Sequence, residues 1–150
     1  MLFRSALITR PKPGYDNATP SGNGAAAFAL QRLGYLLGET PYLDASARCL
    51  QVFRAQLTQQ PIAYSTLLAV LEESLAPPRV ILLRGPATLI REWSVALNPT
   101  LRAREMVLTL PNGLELPEAL AKPESDFPVA WSCSGAACQP PVTELSGLLA

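Results

Sequence analysis

At Pro77-Pro78 the chain changes its hydrophobic period, and no single regular architecture accommodates both sides of that break. Upstream, apolar residues recur every three or four positions, as on helix faces; downstream comes the compact aliphatic run Arg79-Val80-Ile81-Leu82-Leu83. Two consecutive prolines remove two backbone donors and push the preceding residue away from helical geometry. The expected fold is therefore mixed α/β. Residues 1–76 form a helical region, and residues 77–150 a small βαβ(β) appendage with mainly parallel strands.

Three helices are expected upstream. The first covers about 21–37, where Ala25, Ala26, Ala27, Phe28, Ala29, Leu30, Leu33, Leu36 and Leu37 leave little but Gln31 and Arg32 polar. A helix apolar nearly all round is expected to be buried on several sides, with Gly38 as its C-cap. Thr19-Pro20 and Thr40-Pro41 each place a capping hydroxyl before a proline suited to a first helical turn. The second helix, about 41–59, carries a stripe of Leu43, Ala47, Leu50, Phe53 (or Cys49) and Leu57, opposite Asp44, Arg48, Gln51 and Gln56. In the third, about 63–75, Leu67, Leu68, Leu71 and Leu75 lie on one side and Glu72-Glu73 on the other.

Downstream, 79–83 and 105–110 read as strands around a helix over 87–97, a crossover that implies a parallel, right-handed unit. Pro111-Asn112-Gly113 is a turn signal, 127–132 offers a third strand and 144–149 a terminal helical turn.

Composition narrows the chemistry. The 150 residues contain no histidine, which removes Ser-His-Asp and Cys-His catalysis, histidine acid–base work and any imidazole metal site. No cofactor or metal motif is expected. No apolar run approaches the roughly eighteen residues that a membrane span needs, and the opening Leu2-Phe3 before Arg4 does not form a secretory core. Twelve basic and twelve acidic residues cancel overall. Residues 79–104 nevertheless carry a net +4 and 105–150 a net −5. Complementary faces explain this better than a nucleic-acid patch, for which basic and aromatic residues are not interleaved. Three cysteines do not make a secreted disulfide framework, so a reducing, cytoplasmic setting is expected, with Cys49 a buried thiol.

Residues 15–24, Tyr-Asp-Asn-Ala-Thr-Pro-Ser-Gly-Asn-Gly, lie before and within the first turn of the apolar helix. Unpaired N–H groups there suit an anion or sugar hydroxyls. Asp16 is the candidate acid–base group and Tyr15 the stacking platform. Alternatively, Asp16, Asn17, Thr19 and Ser21 simply cap the helix. At the other end, Cys133-Ser-Gly-Ala-Ala-Cys138 admits three readings: packed thiols in a turn, a reversible disulfide, or half of a zinc site completed by Cys49 and carboxylates. Arg84 before Gly85-Pro86 is a further candidate for phosphate, although helix initiation explains that glycine equally.

The TyrAspAsnAlaThrProSerGlyAsn segment with its alanine-rich helix resembles the C-terminal region of the spermatogenesis-associated protein 20-like family. Ala137-Cys138-Gln139-Pro140-Pro141-Val142-Thr143, together with Pro41-Tyr42-Leu43, Pro77-Pro78-Arg79-Val80 and Asn98-Pro99, extends the similarity over nearly the whole chain. That family joins a thioredoxin-like domain to an (α/α)6 toroid similar to six-hairpin glycosidases and N-acylglucosamine 2-epimerases. The resemblance implies that 1–76 corresponds to the last toroid helices. Residues 1–12 read as mid-protein sequence, so the chain is expected to be a fragment or a shortened stand-alone form.

In such toroids the loops at one end of the inner helices line the cleft. The resemblance thus marks Tyr15, Asp16, Asn17, Ser21 and Asn23 as ligand-binding positions, with carbohydrate as the ligand class. A carboxylate partner for Asp16 would come from Glu39, Asp44, Glu72 or Glu73. The expected function is a structural or interaction part that is not catalytic alone. Its partners would be the absent thioredoxin-like and toroid segments, or a second copy through exposed apolar helix faces. A sugar-processing cleft around 15–24 and a thiol redox accessory using Cys133 and Cys138 are the alternatives.

Overall fold

The computed structural model describes residues 12–135 and 137–149. Residues 1–11, most of the stretch on which the mid-protein reading rests, lie outside them. The chain runs α1 (Gly22–Leu37), α2 (Thr40–Val52), α3 (Arg54–Gln59), α4 (Ser65–Leu75), β1 (Arg79–Gly85), α5 (Ala87–Leu97), β2 (Glu105–Pro111), β3 (Val129–Ser134), β4 (Ala137–Cys138) and α6 (Ser146–Leu149). The mixed α/β class and the change of architecture after Pro77-Pro78 are both present.

The four strands form one sheet in the order β2-β1-β3-β4. β1 and β2 pair in parallel around α5, as the strand–helix–strand spacing requires. β3 pairs antiparallel with β1, and β4 antiparallel with β3. The sheet is thus mixed rather than mainly parallel. The connection from β2 to β3 contains only a short 3-10 turn over Glu118–Leu120, not a crossover helix, and β4 folds back through a tight hairpin.

Alternation along β1 divides the core into two layers. Ile81 and Leu83 face α5 and the chain end, packing with Ile90, Leu97, Ala130 and Leu148. Val80 and Leu82 face the other way, toward Leu110, Leu120 and Cys133, with Leu36 and Leu37 of α1 packed alongside. Fully burying a Leu, Ile or Val side chain is worth about 1.5–3 kcal/mol, so β1, apolar on both faces, organises the domain. The helices have a third cluster of Ala27, Leu57, Leu67 and Val70.

The helical region departs from its sequence pattern in four respects. First, α1 buries a narrow stripe of Gly24, Ala27, Gln31 and Gly34, while Ala25, Ala26, Ala29 and Leu33 are exposed. Burial on several sides is not observed along the helix: only Leu36 and Leu37 at its end reach the sheet core, and α2 and α4 cover one flank. Small residues face those neighbours because the helices lie close; a Cβ on Gly34 would sit 2.6 Å from the Leu43 side chain.

Second, the expected 41–59 helix breaks at Phe53 (φ −100°, ψ 8°). There the ring turns in against Gly14 and stacks at a tilt on Tyr64, with 6.2 Å between centroids. Ser46, not Ala47, is the buried residue of α2. Third, α4 buries Leu67, Val70 and Glu73, leaving Leu75 79% exposed.

Finally, the caps differ. Ser21, rather than Thr19, caps α1, its Oγ accepting from Gly24 N–H at 3.1 Å. Glu39 precedes α2 with no side-chain cap, so Thr40 has no capping role. Gly38 closes α1 in the left-handed region at φ 69°, as expected of a C-cap.

Candidate functional site

The segment before α1 is held by its own polar groups. Asp16 Oδ1 accepts from Ser21 N–H at 2.8 Å, while Oδ2 accepts from Thr66 N–H at 2.7 Å and from the Ser65 hydroxyl at 2.9 Å. One carboxylate thus satisfies orphan N–H groups at the starts of two helices, α1 and α4. Burial pushes its pKa up, but the bonds from Thr66, Ser21 and Ser65 outweigh that and hold it at about 2. Such a group stays ionised and is poorly matched to proton transfer near neutral pH.

Ser21 Oγ also donates to Gly14 O, and Asn23 Nδ2 donates to Pro13 O. Asn17 N–H bonds to Thr19 O, and the Tyr15 side chain is exposed. The carboxylates considered as partners for Asp16 point to other tasks. Glu73 pairs with Arg32, Glu72 with Arg104, Glu39 precedes α2, and Asp44 is exposed on α2.

Arg84 lies at the carboxyl end of β1, on the sheet face opposite α5. Its guanidinium donates to the carbonyls of Leu110 and Pro111 and pairs with Glu124 at 2.8 Å; Nε is buried without a partner among the described residues. Glu124 also accepts from Gly113 N–H. Arg84 is therefore a clamp joining β1, the end of β2 and the loop beyond it. With Arg79–Glu105 it brings together the basic and acidic stretches.

The cysteines form the most distinctive chemical feature. Cys133 on β3 and Cys138 on β4 face each other across the hairpin with Cα atoms 3.9 Å apart, and their sulfurs are joined. Gln139 N–H bonds to Ser132 O, which leaves the cysteine pair at a non-hydrogen-bonded position, where opposing side chains come closest. Gly135 makes the turn at φ 58°. Cys133 is buried against the sheet; Cys138 is exposed. Sulfurs bonded to each other provide no thiolates for zinc, and the described residues contain no cluster of three metal-ligating groups. Cys49 is a half-buried free thiol whose pKa burial pushes up.

Beside the disulfide lies a half-open cavity of about 240 Å³, lined by Tyr35 and Leu36 of α1, Val80 and Leu82 of β1, and Leu120. Sequence reasoning missed it, because its walls come from three distant segments. The only signal available was the cysteine spacing.

Comparison of the chain with protein-family models, curated proteins and solved structures finds no match. No helix among the described residues is long and apolar enough to cross a membrane.

Proposed function

We propose that this chain is a structural and interaction module that carries a thiol-redox hairpin and is not catalytic alone. The observation that carries the reading is the Cys133–Cys138 disulfide, which ties a two-residue edge strand to the central sheet. A dithiol reductant attacks the exposed Cys138 sulfur, breaking the S–S bond and forming a mixed disulfide. Cys133 leaves as a thiolate and takes a proton. The reductant's second thiolate then closes its own disulfide and releases Cys138, which is protonated in turn. The chain gains two electrons and two protons, and the dithiol becomes a disulfide.

A thioredoxin-like segment, the partner implied by the family resemblance, is a dithiol of this class, and in a reducing cytoplasm the bond acts as a switch. The descent of 1–76 from toroid helices is part of the same proposal. It is supported by the exposed Ala25, Ala26, Ala29 and Leu33 flank of α1, which further helices or a second copy would cover. A carbohydrate cleft around 15–24 has weaker support, since Asp16, Ser21 and Asn23 are already engaged in helix and loop hydrogen bonds.

The test is thiol counting by alkylation and intact mass, with the full chain equilibrated in graded dithiothreitol buffers. A reversible two-electron transition confined to Cys133 and Cys138 is expected. Two thiols that stay free under mild oxidant, or a bond that survives excess dithiothreitol, would overturn the reading.

A further inference from the structure

We infer that the cavity beside the disulfide is a binding site for a small, neutral aromatic compound of one or two rings, and that reduction of the disulfide weakens this binding. Its volume, about 240 Å³, exceeds the roughly 150 Å³ at which an apolar cavity accepts benzene and falls just below the usual range for drug-sized ligands. Leu36, Val80, Leu82 and Leu120 provide apolar walls, and among the described residues no charged side chain lines the space. An ion entering it would lose hydration with no compensating partner.

Among the lining side chains Tyr35 carries a hydroxyl, and because it donates its proton to Glu73 O at 3.1 Å it can only accept from a ligand. A phenol-type or indole-type donor matches that requirement. The two sulfurs add a polarisable wall of the kind that packs well against ring edges. Gly38 and Gly135 also line the space, and a Cβ placed on either meets no atom of the described residues within 4 Å.

Breaking the S–S bond removes the covalent tie between Cys138 and β3, leaves β4 held only by its short backbone ladder, and loosens that wall. This redox dependence rests on the reversible disulfide of the proposed function; the ligand site itself does not.

The experiment titrates 2-naphthol into the oxidised full chain, following its fluorescence. Saturable one-to-one binding is expected. The anionic analogue 2-naphthalenesulfonate is expected to bind at least tenfold more weakly. Ala119, an exposed lining residue, provides a block: Ala119→Trp and Ala119→Glu should each weaken 2-naphthol binding at least tenfold, with folding checked by circular dichroism. Dithiothreitol that releases two additional thiols should weaken binding at least fivefold.

Absence of saturable binding, equal affinity for the anion, or undiminished binding by folded Ala119 variants would overturn the site. Unchanged affinity in a chain shown to be reduced would overturn the redox coupling and leave the hairpin chemistry standing. A chain that resists reduction refutes the hairpin chemistry instead, while the 2-naphthol titration still decides the site.

Discussion

Arg32 and Glu73 join α1 to α4 through an ion pair in which the carboxylate is almost fully buried. Arg32 Nε lies 3.0 Å from Glu73 Oε1, and Glu73 is only 2% exposed. The same guanidinium stacks 4.2 Å above the Phe28 ring and reaches Ala103 O, so one side chain links both helices to the loop before β2. The partners differ in burial, and that difference makes the pair testable. Arg32→Met leaves a buried carboxylate uncompensated and should cost about 3–5 kcal/mol. Glu73→Gln leaves a guanidinium that water can still reach and should cost about 1–2 kcal/mol. Urea unfolding of both variants checks the order; a larger loss for Glu73→Gln would contradict it.

Asp16 sets a pH dependence. Its folded pKa of about 2 lies below the ordinary side-chain value of 3.8, so its stabilisation is fully present above about pH 4. It is lost as pH falls through the folded value near 2. Asp16→Asn should lower stability at neutral pH by about 1–2 kcal/mol, because the amide's NH2 cannot accept the bonds that one carboxylate oxygen takes. The variant should also flatten the decline in urea midpoint between pH 4 and pH 2.5. A variant whose pH profile parallels the parent would refute the capping role.

Reduction of the hairpin should be measurable as stability. A bridge across a sequence separation of 5 closes a short loop, worth about 2 kcal/mol in the chain-entropy account. Cys133→Ser and Cys138→Ser should each reproduce that loss in guanidinium melts. The single variants should differ in reactivity. With Cys133 replaced, the exposed Cys138 should form a glutathione adduct readily. With Cys138 replaced, the buried Cys133 should do so slowly, a contrast that intact mass resolves.

Close approach at two glycines gives a further check. Gly34→Ala forces Leu43 away from α1 and should cost about 1–3 kcal/mol. Gly85 combines φ 147° with a Cβ position 2.8 Å from Phe127 O, so Gly85→Ala should be at least as costly. Gly22→Ala, where nothing lies within 4 Å and the residue is helical, is the control and should be neutral or stabilising.

Much of the sheet region was readable in the order of residues. RVILL, the 87–97 helix, the 105–110 strand and the Pro-Asn-Gly turn all appear within a residue or two of their expected places. Short β-branched runs bounded by glycine and proline are local signals, and neighbouring strands reinforce them. β4 was not readable, because two residues carry no period. The helical region misled on burial. Leu75 faces solvent, and Glu73 lies inside with Arg32, because α4 turned toward α1 the face containing Leu67 and Val70. Gln31 is buried for a similar reason: its Nε2 donates to Val70 O and its Oε1 accepts from Ser46, a polar link among three helices.

The site was legible only as a list of residue types. The spacing of Cys133 and Cys138 permitted a disulfide without selecting it, and the polar run before α1 suited both a cleft and a cap. The tertiary fold makes these choices through partners remote in the chain. Ser65 and Thr66 sit 49 and 50 positions from Asp16 and turn it into a cap. Val80 and Leu120 line a cavity with Tyr35 that no single stretch contains. Sequence alone determined the break at Pro77-Pro78, the parallel pairing around α5 and the absence of histidine chemistry, since these depend on backbone constraints and composition. Which faces are buried, which charges are paired and where the disulfide lies were decided by tertiary packing, because burial and hydrogen bonding depend on what arrives from elsewhere in the chain.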